Sequence, residues 1–164
     1  MKTKILQKTL LILIPGFAAL LVATTANAQN LVALQGDLHQ SRLVSQTCNG
    51  GVCDLVFEGS GTVNIMGPMT WTVNVTQDFN GYPCNPAVGT QYTLVGATGS
   101  ITMADTCGTV CPSATHSGKP GTVETVWNVT GGTGAFSGII GSGTNQGTIT
   151  GNGPNVHLSG IVVY

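Results

Sequence analysis

Few residues in this chain are equipped for chemistry, and the cysteines are the most concentrated group. Cys48, Cys53, Cys84, Cys107 and Cys111 all lie beyond the first 28 residues. Cys48 and Cys53 flank Asn49-Gly50-Gly51-Val52, a strong hairpin-turn signal, so closing the turn can join them. Cys107 and Cys111 can close a second small loop, which would leave Cys84 unpaired. The rival arrangement links Cys84 to Cys107 or Cys111 and ties two loops together. Small loops remove little unfolded-state entropy, so local bridges would mainly fix loop shape. The unpaired thiol is either buried or paired between subunits. Zinc is the competing use, with His116 nearby. The spacings are C-x4-C and C-x3-C rather than the common C-x2-C, and exported thiols oxidise, so disulfides are the expectation. Met66, Met69 and Met103 are soft ligands of the kind copper(I) takes, but packing beside a turn is the expected account of them. No metal and no cofactor is expected.

Acid–base chemistry has four weak candidates: Asp37, His39, Glu124 and His157. Asp37 and His39 share one face of the first strand and form a candidate polar dyad. Glu124 falls opposite Val123 and Trp127, and His157 stands between Val156 and Leu158, so both are expected to face solvent. Asp54 and Glu58 fall opposite Leu55 and Phe57 and carry the same expectation. A hydrolase needs a carboxylate pair or a triad in a pocket, and no serine lies in a G-x-S-x-G elbow. No catalytic assignment follows. The glycine clusters are not phosphate loops either: no Lys follows Gly132-x-Gly134 or Gly141-x-Gly143, and neither opens a helix.

The elements that must position these residues read as strands. Charged residues make up 7% of the chain, against roughly 25% in an average domain. Glycine and threonine are abundant and helix-forming runs are missing, a composition of β-structure with tight turns. Residues 70–79 alternate most clearly, with Trp71, Val73, Val75 and Phe79 on one face. Residues 121–130 do the same with Val123, Thr125, Trp127 and Val129. Residues 31–40 and 42–47 read as a first pair of strands, and 54–65 as a long strand bent at Gly59 and Gly61. Residues 90–103 form a strand with a kink or bulge at Gly96 and Gly99. Residues 143–150 and 156–164 complete about eight strands. Loops are expected at 80–89 and 105–121. The chain breaks at Gly131-Gly132, carries the single aromatic Phe136 through a compact segment, and breaks again through Gly138, Gly141 and Gly143. Phe136 is expected to plug the core.

Residues 1–28 read as a signal peptide. Lys2, Lys4 and Lys8 precede an apolar run over 9–22, and Ala26-Asn27-Ala28 is an A-x-A cleavage site. The run is short for a membrane span and is interrupted by Pro15-Gly16, so no stable membrane anchor is expected. Residues 29–164 then form one secreted or periplasmic all-β domain, a barrel or a sandwich. Its two basic residues, Arg42 and Lys119, stand against six acidic ones, a formal net charge of −4. That balance argues against nucleic acid and anionic membrane surfaces as partners.

The segment V-T-G-G-T-G-A-F-S-G-I-I-G-S-G-T, which contains Gly131, Gly132, Gly134, Phe136, Gly138 and Gly141, resembles the G-G-T-G-x-F-x-G-A-x-G signature of allene oxide cyclase-like barrels. Plant dirigent proteins have a related signature. The resemblance covers about 18 residues at the motif, with compatible strand pattern over much of the remainder. It implies an eight-stranded antiparallel barrel, often oligomeric, with a cavity at its mouth. It carries no catalytic residue onto this sequence. Ile139-Ile140 stands where that family often has Ala-Thr, and the cysteines are not one of its features. The expected function is an exported protein binding a small apolar ligand or a surface partner without catalysis. The alternatives are an isomerase or coupling guide acting by cavity shape, and a purely structural barrel filled by Trp71, Trp127, Phe57, Phe79 and Phe136.

Overall fold

The structure is a computed structural model. It describes residues 30–80, 84–87, 89–111, 120–150 and 153–164. The signal-peptide pattern, His116, Lys119, the centres of the 80–89 and 105–121 loops and the Gly151-Asn152 turn lie outside the described residues.

The described residues are all β. Nine strands follow in order: β1 (Leu31–Asn49), β2 (Val52–Val63), β3 (Gly67–Asp78), β4 (Asn85–Pro86), β5 (Gln91–Gly96), β6 (Gly99–Cys111), β7 (Gly121–Gly134), β8 (Ile140–Thr150) and β9 (Gly153–Val163). Each long strand pairs antiparallel with its sequence neighbours. β1 also pairs with β9 along Leu31–His39, and this closes an eight-stranded up-and-down barrel. The two-residue β4 pairs with the far end of β6, continuing the line of β5. Inward residues alternate with outward ones as the pleat requires. The alternation on β3 and β7 is as the sequence predicts: Trp71 and Val73, and Val123, Thr125 and Trp127, are buried.

Four expected boundaries are corrected. The first two strands are one: β1 runs through residue 41 and absorbs the irregularity as register shifts between Gln40 and Arg42 and between Leu43 and Ser45. Residues 90–103 are a hairpin, with Gly96 and Gly99 facing each other across the Ala97-Thr98 turn. β6 continues through Asp105 to Cys111, where a loop is expected, because β7 supplies partners along that whole length. Finally, Gly131 and Gly132 stay in β7. The turn is made at Gly134 and Gly138, whose φ values of 61° and 79° suit glycine. Gly141 and Gly143 likewise belong to β8.

The barrel has two unlike ends. At one, the turn over 135–139 folds inward, pinned by Ala135 N–H to Thr98 O (2.9 Å) and Ile139 N–H to Phe136 O (3.1 Å). Phe136 is buried there, as the sequence predicts, edge-on to Tyr164 with ring centroids 5.5 Å apart. At the middle, Trp71 lies over Gly59, and Trp127 lies over Gly143 and Gly160. These positions lack a Cβ because an indole ring occupies the space it would need. Phe79, expected inside, follows the end of β3 and is exposed.

The other end carries both disulfides. Cys48–Cys53 closes the β1–β2 turn, as expected. The second bridge is Cys84–Cys111, so Cys84 is not the odd residue, and Cys107 is the free thiol, exposed on the outer face. The reason is strand geometry. Cys107 and Cys111 lie four residues apart on one strand, about 13 Å at 3.3 Å per residue, far beyond disulfide reach. Titration of the native protein with a thiol reagent should therefore find one reactive group per chain, and Cys107→Ser should abolish it. Persistence of a reactive thiol in that variant would mean that one of the two bridges is not formed as described.

Candidate functional site

On β6 the inward residues run Ile101, Met103, Asp105. The first two are core hydrophobes, and the third is a carboxylate at 2% exposure. A buried charge is costly unless it is hydrogen-bonded, and here three other strands supply the donors. Tyr92 on β5 donates its hydroxyl to Asp105 Oδ2 at 2.8 Å. Thr125 on β7 donates Oγ1–H to Asp105 Oδ1 at 2.9 Å. Asn145 on β8 directs Nδ2 to Asp105 Oδ1 at 3.4 Å and to Thr125 Oγ1 at 3.1 Å. Those bonds commit both amide hydrogens and leave Asn145 Oδ1 outside the network. Among the described residues that oxygen is buried with no hydrogen-bond partner. So is Nε1 of Trp127, the residue that pairs with Asp105 across β6 and β7.

The backbone holds Asp105 rigidly. Its N–H donates to Thr90 O (2.9 Å), and its carbonyl accepts from Gly89 N–H (3.0 Å). The register against β7 shifts between Asp105 and Cys107. This bulge keeps Asp105 inward and turns Cys107 out. Burial raises the Asp105 carboxyl from 3.8 to about 6, against the pull of the Tyr92, Thr125 and Asn145 hydrogen bonds. Burial also pushes the Tyr92 phenol well above its ordinary value, and the neighbouring Asp105 charge adds to it.

The four residues expected from sequence lie elsewhere, on the outer surface. Asp37 meets His157 rather than His39, with Oδ1 and Nδ1 2.9 Å apart and both side chains more than half exposed. His39 Nδ1 instead lies 2.8 Å from Asn155 Oδ1. Glu124 is exposed on β7, as predicted. Because exposed ion pairs contribute little, His157→Ala should change the unfolding free energy by less than about 1 kcal/mol. A larger loss in thermal unfolding would give the pair a role that its exposure does not explain. Met66, Met69 and Met103 are core residues. Among the described residues, no three His, Cys, Asp or Glu side chains converge on one point.

The signal for Asp105 was present in the sequence. The period-two run Ile101-x-Met103 lands on it at the next inward position. Tyr92, Thr125 and Asn145 become relevant only once the barrel closes. Comparison with protein-family models, curated proteins and solved structures returned no match.

Proposed function

We propose that this is an exported barrel protein of the periplasm or extracellular space. On this reading it holds a small, largely apolar ligand in the half of its interior facing the disulfide end, without catalysis. The observation behind this reading is the Asp105 cluster, whose polar side chains converge inside the barrel among apolar residues such as Met103, Val110 and Val123. An apolar lining with a few convergent polar groups and a titratable residue of shifted pKa is the usual form of a small-molecule site. Export rests on the N-terminal pattern, and the two disulfides are compatible with an oxidising compartment.

A second reading is an isomerase or coupling guide, as the sequence resemblance to allene oxide cyclase-like barrels implies. The contact of the Asp105 carboxyl with the Tyr92 phenol favours it, since such a pair can move a proton to or from a bound intermediate.

Native mass spectrometry of the mature chain, recovered from an oxidising compartment, tests the binding reading. The expected result is an organic adduct that Val123→Trp eliminates by filling the same half. The apo mass alone, unchanged after incubation with a small-molecule library, would leave a filled structural barrel instead.

A further inference from the structure

We infer that the guest of the Asp105 cluster is a primary amine on an apolar stem, bound as its ammonium ion against Asp105 and Asn145; this rests on the binding reading above. Tyr92 and Thr125 each have one polar hydrogen and the Asn145 amide has two. Both hydroxyl hydrogens go to Asp105, and the amide pair goes to Asp105 and Thr125. No donor is left over among these three side chains. Acceptors remain: a second lone pair on Asp105 Oδ2, and all of Asn145 Oδ1. What the cluster lacks is hydrogens.

Among the described residues it also lacks a positive charge. The partners bonded to Asp105 among the described residues are all neutral. Arg42 is committed to Glu58 on the outer surface, at 2.9 Å. A buried carboxylate held only by neutral donors remains costly to ionise, and a cation placed beside it removes that cost. An ammonium group brings three donors, no acceptor and one positive charge, matching both deficits.

The unpartnered indole N–H of Trp127 favours a different guest. A hydroxyl could accept from Trp127 and donate to Asn145, serving both unmatched atoms. It would leave the Asp105 charge uncompensated, however. A charge-assisted hydrogen bond is roughly twice as strong as a neutral one, so the carboxylate decides in favour of the amine. A carboxylate-bearing guest is disfavoured at pH 7.5, because it would bring a second negative charge and further acceptors.

Titrating the disulfide-intact mature chain at pH 7.5 with n-hexylamine, n-hexanol and hexanoate tests this, following the Asn145 side-chain amide and Trp127 indole NMR signals. Hexylamine should shift both signals and bind at least about tenfold more tightly than hexanol, a difference of about one charge-assisted bond. Hexanoate should shift neither. Asp105→Asn, nearly the same shape, should lower amine affinity at least about tenfold and leave alcohol affinity unchanged. The three-probe comparison on the unmodified chain stands even if that variant folds poorly. Hexanol binding as tightly as hexylamine would overturn the ammonium assignment and leave the binding reading intact. Failure of all three probes to move either signal would overturn both.

Discussion

Asp105→Asn should make the protein more stable at neutral pH, and the gain should grow as pH rises. The sign follows from linkage. The carboxyl sits at about 6 in the folded chain against an ordinary 3.8, so the fold favours its protonated form. The stability this confers is present in full below about pH 3.8 and is lost as pH rises through about 6. A shift of roughly two units corresponds to about 3 kcal/mol. For a domain of this size that is about 6–12 °C in Tm. The asparagine variant carries no such charge. Its Tm should match the parent near pH 4 and exceed it increasingly up to pH 7.5. Every other titrating group is common to both proteins, so the difference curve isolates this one. A flat difference across that range would mean that Asp105 is neither desolvated nor linked to folding as described.

Gly143→Ala is expected to cost about 3 kcal/mol, near the top of the usual range for overpacking. A Cβ at this position would meet the Trp127 ring and, on the paired strand, the backbone at Ser159 O and Gly160 Cα. Neither is a flexible chain end. Trp127 is completely buried, and the backbone of β9 is held by pairing on both sides. Trp127→Ala should itself cost about 3–5 kcal/mol by emptying the middle of the barrel. Combining the two in a double-mutant cycle separates the contributions. The glycine substitution should become cheaper when the ring is gone, while the part due to Ser159 remains. Strict additivity in denaturant unfolding would show that the ring does not rest on Gly143.

The class of fold was legible because most long strands keep one face apolar, as Trp71 and Val73 or Val123 and Trp127 do on their strands. The position of Phe136 was legible from the glycines around it. Strand ends were harder to read. Asp105 resembles the start of a loop because aspartate is rare inside strands. Its place depends on partners 13, 20 and 40 residues away, none of which marks it locally. The same error concealed the second disulfide. A loop over 105–121 would let Cys107 and Cys111 meet, whereas an extended β6 holds them apart and brings Cys111 to Cys84. The exposed Asp37–His157 contact joins the two strands that close the barrel, a pairing that spacing along the chain could not foresee.

That closing seam also governs how the molecule is made. β1 emerges from the ribosome early, yet one of its edges finds its partner only in β9, the last strand. Until β9 is available, the half-assembled sheet has two bare edges, on β1 and β8, each able to recruit a strand from another chain. Pairing between such distant segments is slow, on the millisecond-to-second scale. A chain exported in an unfolded state would complete its barrel only after β9 had crossed. A truncation before β9 should therefore yield aggregates rather than a smaller barrel.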